Sequence, residues 1–370
     1  MNLPPFLLDH WLAAHEFATP SIRYNLAAST GPKWSVDELL ALGGGASIGN
    51  VKIGYAPPEG GTRLREAIGG FLGVDPDWVV VTTGASEALL ILLCLAARPG
   101  ANVVLPAPAF SPFAVMAEAW GLGVRAYTLS RDDGFCQRAG AVVGAADART
   151  VLALVNTPHN PAGSVMPRDE IRTLAENFAE RGVPLIVDEV YHPLYFGRQS
   201  PTAADIPNAI VMGDMSKALS LAGLRLGWLV IADAALRKRA VDARGYFTIS
   251  SSPILEELAV HALTNHQVLL ERLSAVASAN LSALTDFMER VSHIVSWARP
   301  EGGTVAFPWF NDRRDSRPFC QALAAQGVLI APGDCFGMPA HFRIGFAAQA
   351  EGFEDALAIF EQVLRQPTAP

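Results

Sequence analysis

The stretch Gly213–Trp228, which reads GDMSKALSLAGLRLGW, places a lysine between a strand-like apolar run and a turn that contains glycine. Lys217 is one of only four lysines in the chain, and Arg225 follows it eight residues later. This spacing suits a lysine that holds an aldehyde as an imine while an arginine binds a phosphate. Because a single lysine is more often a solvated surface charge, this interpretation needs support from other segments.

A second segment, VVVTTGASEALLILL (79–93), ends an apolar run just before Gly84 and then takes on a helical pattern. The free backbone N–H groups at the start of a helix bind phosphate well, and a glycine allows close approach. An ordinary strand-to-helix turn capped by Ser86 would have the same pattern. The segment is therefore consistent with phosphate binding without requiring it.

Three further segments place polar groups within or at the ends of predicted strands. NTPHNPAG (156–163) follows an apolar run, and VPLIVDEVYHPLYF (183–196) presents Asp188 where its own apolar run ends. HFRIGFA (341–347) places Arg343 inside a strand pattern. Because a buried charge is costly unless it is paired, we expect these charged groups to have ligand partners.

Taken in order, these segments resemble the class I/II aminotransferases, the fold-type I family that uses pyridoxal 5'-phosphate (PLP). NTPHNPAG is similar to the family signature N-x-P-x-N-P-x-G, and the similar segments extend from residue 55 to residue 343. The resemblance implies an α/β fold of fold-type I and a Schiff base between Lys217 and PLP. It also implies an enzyme that moves an amino group between an L-amino acid and a 2-oxo acid by a ping-pong mechanism.

The resemblance further implies which residues contact the PLP ring. Asp188 would pair with the protonated pyridine nitrogen, while Asn160 and Tyr191 would hydrogen-bond the phenolic oxygen. Phe113, in PAPAFSPF, would stack on the pyridine, an interaction that contributes about 1 kcal/mol. The catalytic residues implied in this way are Lys217, Asp188 and Tyr191.

The phosphate of PLP would bind in a cup at the start of the predicted helix. The resemblance implies that this cup consists of Gly84, Ala85, Ser86, Ser216 and Arg225. One position departs from the family, because Asp214 stands three residues before Lys217 where Ser or Thr is usual. A carboxylate repels a phosphate dianion unless it is protonated, turned away or bridged by a donor, so the role of Asp214 stays open.

Substrate and subunit contacts follow from the same resemblance. Arg343 would bind the substrate's α-carboxylate through a bidentate fork, with Asn160 and Gly31 beside it. Phe247 falls roughly where relatives specific for dicarboxylates carry an arginine, which disfavours aspartate and glutamate as first substrates. Tyr55, in YAPPEGGTRLREAI, would reach the PLP of a neighbouring subunit, which predicts a homodimer with shared active sites.

Alternating strand-like and helical patterns predict a mainly parallel, seven-stranded sheet covered on both faces. The strand-like runs lie near Trp78, Val103, Val124, Val151, Leu185, Ile210 and Trp228. We expect a large PLP-binding domain at 46–260, and an N-terminal segment at 1–45 associated with a small domain. A long connecting helix and that smaller α+β domain are expected at 261–370.

Composition favours a cytoplasmic enzyme and argues against several partners. The 370 residues carry a net charge of −8 at pH 7, which disfavours nucleic acid and anionic membranes as partners. The longest apolar stretch, ALLILLCLAA, is too short to span a bilayer. The four cysteines lack metal-ligand spacing, so no metal is expected.

Other chemistry on the same scaffold stays open. The strings GDMSKALSLAGLRLGW, EGGTVAFPWF and GVLIAPGDCFG also resemble capreomycidine synthase, a family member that cyclises a hydroxylated arginine by elimination and addition. Such cyclisation, like C–S lyase activity, ranks below transamination. A non-catalytic PLP-binding domain is less favoured, because no basic helix-turn-helix candidate precedes Tyr55. GGGASIG (43–49) lacks the preceding strand that a dinucleotide-binding loop requires.

Overall fold

A computed structural model describes residues 3–16, 21–197 and 199–366. Its helices are α1 (Leu7–Glu16), α2 (Val36–Leu40), α3 (Thr62–Leu72), α4 (Gly84–Ala96), α5 (Pro112–Ala119), α6 (Ala139–Ala145), α7 (Arg168–Ala179), α8 (Ala234–Arg244), α9 (Pro253–Thr264), α10 (His266–Arg290), α11 (Arg317–Ala325) and α12 (Phe353–Leu364). Its strands are β1 (Tyr24–Asn25), β2 (Val79–Thr82), β3 (Asn102–Ala107), β4 (Gly123–Thr128), β5 (Thr150–Asn156), β6 (Leu185–Asp188), β7 (Ala209–Asp214), β8 (Gly227–Val230), β9 (Val295–Ser296), β10 (Val305–Ala306), β11 (Trp309–Phe310), β12 (Val328–Leu329), β13 (Ala331–Pro332) and β14 (Phe342–Gly345).

Strands β2 to β8 form one seven-stranded sheet, in the order β2-β8-β7-β6-β5-β3-β4. The pairs β2–β8 and β7–β8 are antiparallel, because β8 runs against the other strands. The remaining neighbours are parallel. The mainly parallel, seven-stranded α/β fold expected from the sequence is therefore confirmed.

Apolar side chains cover both faces of this sheet. In β5, Ala153 and Val155 belong to one buried cluster, whereas Leu152 and Leu154 belong to another. Successive side chains of a strand point to opposite faces, so a strand buried on both sides reads as a continuous apolar run. No helix within the described residues is long and apolar enough to cross a membrane.

The C-terminal part of the chain combines short strands with helices. β10, β14 and β13 form a three-stranded antiparallel sheet, and β9 pairs with β11. β1 pairs in parallel with β12, with Tyr24 opposite Val328, so the N-terminal segment contacts this part of the chain. In place of one long connecting helix, the structure has two helices, α9 and α10, which meet at Asn265. The domain boundaries near residues 45 and 260 stay predictions.

Three polar strand ends meet at one edge of the large sheet. β5, β6 and β7 are adjacent and parallel, with Asn156 opposite Asp188 and Asp188 opposite Met212. β7 ends at Asp214, just before the turn that carries Lys217. Open α/β sheets bind their ligands outside the carboxyl ends of their strands. This edge therefore positions the candidate site.

Candidate active site

A cavity of about 260 Å³ opens at the carboxyl ends of β5, β6 and β7. Its walls also include residues of α1, of the starts of α4 and α5, and of β14. The residues predicted from the sequence that line it are Ala85, Ser86, Phe113, Asn160, Asp188, Tyr191, Ser216, Lys217, Arg225 and Arg343. The fold thus brings together side chains from both ends of the chain.

Lys217 is partly buried, and its amine is held by a hydroxyl from the N-terminal segment. Nζ donates a hydrogen bond to Oγ of Ser29 at 2.9 Å. Burial is the main cause that lowers the pKa of Lys217; Asp214 opposes the shift, whereas Arg343 and Arg225 reinforce it. A lowered pKa favours the neutral amine, which is the form that attacks a carbonyl or accepts a proton.

Asp188 ends β6 and is only 5% exposed. Its Oδ1 accepts a hydrogen bond from the backbone N–H of Val190 at 3.1 Å. Burial raises the pKa of Asp188 to about 7; the Val190 hydrogen bond lowers it, and the charge of Asp214 raises it further. A cationic ligand group next to this carboxylate would restore its ionised form at neutral pH.

Tyr191 and Asn160 offer hydrogen-bond donors to a ligand. The Tyr191 hydroxyl is buried without a hydrogen-bond partner among the described residues, and burial raises its pKa. The backbone N–H of Asn160 donates to Oδ1 of Asn156 at 2.7 Å, and its own Oδ1 accepts from Nη1 of Arg343 at 3.1 Å. Since these contacts occupy Oδ1, the Asn160 amide directs its Nδ2 donors to other partners.

The candidate phosphate cup depends on two glycines. Gly84 has φ +72°, and a Cβ there would lie 2.7 Å from Nη2 of Arg225. A Cβ on Gly227 would lie 2.6 Å from the carbonyl carbon of Gly84. Nη1 of Arg225 lies 3.5 Å from Oγ of Ser216. The start of α4, a hydroxyl and a guanidinium therefore meet where a dianion would be well bound.

Asp214 is buried at the edge of this cup and bonded to its own turn. Its Oδ1 accepts a hydrogen bond from the backbone N–H of Ser216 at 2.8 Å. This hydrogen bond offsets part of the cost of burying the carboxylate beside the cup. The hydrogen bond also fixes the turn that leads to Lys217.

Arg343 is a buried guanidinium, 2% exposed, on β14. Nη2 donates to the carbonyl oxygen of Ala27 at 2.7 Å, and the group lies 5.1 Å from the ring centroid of Phe336. Nε has no hydrogen-bond partner, and Arg343 forms no ion pair within the described part of the chain. A buried cation that lacks an anion is a receptor for an anionic ligand.

Aromatic side chains form one wall of the cavity. Phe113 is buried and contacts Phe110 edge to face, with ring centroids 5.7 Å apart. Phe110 in turn contacts Phe6, just before α1, at 5.8 Å. All three residues line the cavity. Phe113 is therefore available to a planar ligand ring, and Phe6 and Phe110 extend the aromatic wall.

Three predicted residues are absent from the lining of this cavity: Gly84, which lies against Arg225, and Gly31 and Tyr55. Gly31 packs so closely that a Cβ would lie 2.1 Å from Oγ of Ser220, and Ser29 lines the cavity in its place. Tyr55 is 85% exposed and is absent from the lining. The string NLAASTGP pointed to the right segment, but no signal in it distinguished Ser29 from its neighbours.

The polar groups of the cavity match those of PLP. Two of its buried atoms, the Tyr191 hydroxyl and Nε of Arg343, lack partners among the described residues. Each such group costs about 1–3 kcal/mol unless a ligand satisfies it. The cup suits a phosphate, Asp188 suits a protonated ring nitrogen, and Tyr191 suits a phenolic oxygen. The residues present therefore fit this cofactor, with Arg343 left for a carboxylate.

Known proteins are similar to the chain over nearly all of its length. A family model described as aminotransferase class I and II matches residues 41–359. Capreomycidine synthase from Streptomyces vinaceus is 30% identical over 370 residues, covering 98% of this chain and 94% of that protein. Valine–pyruvate aminotransferase from Mycobacterium tuberculosis is 31% identical over 375 residues, covering 96% and 95%. The crystal structure of a PLP-dependent aminotransferase from Streptococcus suis superposes with a TM-score of 0.91 at 26% identity, covering 99% and 98%.

Proposed function

Because the chain belongs to the class I and II aminotransferase family and uses PLP, we propose that it transfers the amino group of an L-amino acid to a 2-oxo acid by a ping-pong mechanism. The observation that carries the proposal is the convergence of Lys217, Asp188, Tyr191 and Arg343 on one cavity. When bound, PLP supplies an aldehyde that accepts the amino group and a ring that withdraws electrons from the substrate's α-carbon.

Lys217 is proposed to bind the cofactor covalently and to move the substrate proton. Burial lowers the pKa of its amine, which favours the neutral form, and the Oγ of Ser29 orients Nζ at 2.9 Å. Once the substrate has displaced it, Nζ would accept the proton from the α-carbon and would then donate a proton to the former aldehyde carbon of the cofactor. General acid–base catalysis of this kind accelerates a reaction by about 10²–10⁴-fold.

Asp188, Tyr191 and Asn160 are proposed to orient the cofactor ring. The Asp188 carboxylate would be ionised beside a protonated ring nitrogen, since the opposite charge offsets the burial that raises its pKa to about 7. The Tyr191 hydroxyl and the Asn160 amide would donate to the phenolic oxygen, and Phe113 would contact the ring face.

Arg343 is proposed to bind the substrate's α-carboxylate. Asn160 and the Ala27 carbonyl already hold its Nη1 and Nη2, so the guanidinium is fixed before substrate arrives. Such preorganisation reduces the entropy that binding has to overcome. The phosphate cup, comprising Gly84, Ala85, Ser86, Ser216 and Arg225, would anchor the other end of the complex.

We also propose a homodimer in which Tyr55 of one subunit reaches the phosphate cup of the other. Large apolar side chains are exposed on two segments, with Tyr55 85% and Tyr246 92% exposed. Nη2 of Arg244 binds Oγ of Ser251 at 2.6 Å, and Nη1 binds the carbonyl oxygen of Pro58, which ties the two segments together. Light scattering on the purified protein tests this proposal, and a monomer that retains full activity would contradict it.

The sequence further predicts a cytoplasmic location. This prediction rests on composition and can be checked by fractionating cells that express the natural chain. Recovery of the protein from the membrane or from outside the cell would contradict it.

Elimination followed by cyclisation is a second candidate function. Capreomycidine synthase is 30% identical over 98% of this chain, which supports a reaction of that type on the same scaffold. Both candidates need Lys217 to remove the α-proton, and they differ in which bond then breaks.

One experiment separates the two candidates. The protein loaded with PLP is mixed with pooled neutral, aromatic and basic L-amino acids, and the products are measured by mass spectrometry. Transamination predicts a 2-oxo acid and stoichiometric pyridoxamine 5'-phosphate, which pyruvate or 2-oxoglutarate converts back to PLP. Release of ammonia or a cyclic product with PLP unchanged would favour elimination instead.

A further inference from the structure

Helix α1 is anchored to the C-terminal part of the chain by one face. Leu8 and Trp11 are each only 5% exposed, and Nε1 of Trp11 donates to the carbonyl oxygen of Ile330 at 2.8 Å. Asp9 and Leu12 also line the cavity, and residues three apart lie side by side on a helix. The anchoring of Trp11 therefore fixes which side chains α1 presents to the substrate.

The charged groups of the cavity are nearly all assigned to the cofactor and the α-carboxylate. The lining contains the cations Lys217, Arg225 and Arg343 and the carboxylates Asp9, Asp188 and Asp214. All three cations have a role in the proposed reaction, and so does Asp188. The carboxylate of Asp214 is bonded to the backbone of Ser216.

Asp9 is the charged lining residue that remains. It is exposed, and none of the ion pairs between described residues involves it. Around it the lining is apolar, with Phe6 and Leu12 from the N-terminal segment facing the same cavity as Phe110 and Met116. A substrate side chain in this cavity meets apolar surface and one unassigned carboxylate.

We propose that the enzyme prefers amino acids whose side chain carries a cation on an apolar stem, and that Asp9 recognises the cation. The stems of lysine-like and arginine-like side chains pack on apolar surface while their charged ends stay hydrated. A guanidinium or ammonium can also lie over the faces of Phe6 and Phe110. The inference rests on the proposed function, because it concerns which substrate enters the same site.

Neutral amino acids of similar shape to arginine and lysine measure the contribution of the side-chain charge to binding and turnover. L-Citrulline has nearly the shape of L-arginine without its charge, and L-norleucine has the stem of L-lysine without its ammonium. For the loaded enzyme we expect kcat/KM to be about 3–5-fold higher for the cationic member of each pair, since solvent screens an exposed carboxylate. Isothermal titration of the same four compounds gives their affinities without requiring turnover.

Asp9→Asn should reduce this preference to within about 2-fold, because kcat/KM should fall more for arginine and lysine than for citrulline and norleucine. Asp9 also lies in the first turn of α1, where a carboxylate stabilises a helix whatever the substrate. Asp169→Asn, at an exposed first-turn position of α7, is the matched control and should leave the preference intact.

The outcomes separate this inference from the proposed function. Equal binding of arginine and citrulline, or an equal loss for both in Asp9→Asn, would overturn the inference even if transamination is observed. A preference for glutamate that disappears in Lys52→Ala would overturn it too, because it would show a cation supplied from the exposed segment before Tyr55. If Asp9 sets the affinities but no amino group is transferred, the inference holds and transamination is wrong.

Discussion

Two buried arginines, Arg244 and Arg343, lie in opposite kinds of surroundings. Both are almost fully buried, at 0% and 2% exposure. Nε of Arg244 lies 3.8 Å from Oε2 of Glu87, whose own exposure is 6%. Arg343 has only uncharged protein partners, Asn160 and the carbonyl of Ala27. One guanidinium is neutralised by the fold, and the other is left for a ligand.

The surroundings of Arg244 show how the fold neutralises a buried guanidinium, although its Nε, like that of Arg343, makes no hydrogen bond among the described residues. Glu87 accepts hydrogen bonds from the backbone N–H of Thr83 at 2.5 Å and from the hydroxyl of Thr248 at 2.7 Å. Arg244 itself binds Ser251 and the carbonyl of Pro58. These contacts connect the start of α4 with the two segments that carry Tyr55 and Tyr246. Burial alone therefore does not identify a functional charge, whereas burial without a counter-charge does.

The largest effect is expected for Lys217→Ala. Removing Nζ eliminates both the covalent attachment of the cofactor and the group that moves the α-proton, so turnover should fall by at least about 10⁴-fold. The fold should persist, since the side chain makes one hydrogen bond, to Ser29. Steady-state kinetics and circular dichroism check both statements, and a variant that still transaminates would refute the assignment.

The two arginines should respond in opposite ways to the same substitution. Arg244→Met leaves Glu87 buried without its counter-ion and should lower the free energy of unfolding by about 3–5 kcal/mol. Arg343→Met should change it by no more than about 1 kcal/mol, because the lost contacts are uncharged on the protein side. Arg343→Met should instead raise KM for the amino acid substrate by at least about 30-fold, because the α-carboxylate loses its cationic partner.

Urea denaturation of the cofactor-free variants measures the change in stability, and steady-state kinetics of the PLP-loaded variants measures the change in KM. If Arg343→Met is the more destabilising substitution and leaves KM unchanged, then the contrast between the two arginines is wrong. Arg343→Lys is a useful second variant, because it keeps the charge and loses the bidentate fork.

Asp188 and its neighbour Glu189 also differ in whether the protein or a ligand provides their partners, and the pH dependence of stability tests this difference. Burial raises the pKa of both carboxyls to about 7, and Glu189 is bonded to Thr202 and to the backbone N–H of Ala203. Between about pH 4 and pH 7 the folded protein holds protons that the unfolded chain has lost, so stability falls as pH rises through this window. Above about pH 7 this contribution levels off.

Asp188→Asn and Glu189→Gln should each remove part of this slope from the cofactor-free protein, by about 1–3 kcal/mol across the window. PLP should remove only the contribution of Asp188 to the pH dependence of stability, because its ring nitrogen supplies a cation next to that carboxylate. Thermal unfolding between pH 4 and pH 8, with and without PLP, measures the difference. An equal effect of PLP on both variants would count against pairing at Asp188.

Gly84→Ala should have the smallest effect of the set. The positive φ of +72° and the 2.7 Å approach to Nη2 of Arg225 would strain an alanine and shift the guanidinium. We expect about 1 kcal/mol of destabilisation and about 10-fold weaker PLP binding. Gly100→Ala, at φ +74° with open space around its Cβ position, controls for backbone strain alone and should leave PLP affinity unchanged.

The sequence predicted the features that depend on local pattern. Seven strand-like runs were enough to predict the sheet, because inner strands such as β5 and β6 are buried on both faces and are continuously apolar. The edge strand β4 is largely exposed. Asp188 was predictable as the polar residue that ends the apolar run of β6, whereas Asn160 was identified through the resemblance of NTPHNPAG to a family signature. Lys217 stood out through its spacing from Arg225. The structure brings these residues together, and their individual roles stay predictions.

The features that the sequence did not predict arise from contacts between distant segments. The hydrogen bond from Lys217 to Ser29 joins residues that are 188 positions apart in the sequence, and no pattern in the N-terminal segment identifies that serine. Nothing in the sequence marks Asp9 as a site residue, because its place in the cavity depends on how Trp11 anchors α1. The Glu87–Arg244 pair is likewise visible only in three dimensions.

The attachment of PLP to Lys217 can be tested by trapping the cofactor on the protein. The natural protein is loaded with PLP, reduced with borohydride, digested and analysed by tandem mass spectrometry. We predict one stable phosphopyridoxyl adduct, on Lys217. An adduct on Lys33, Lys52 or Lys238 instead, or no retained adduct at all, would contradict the proposed mechanism.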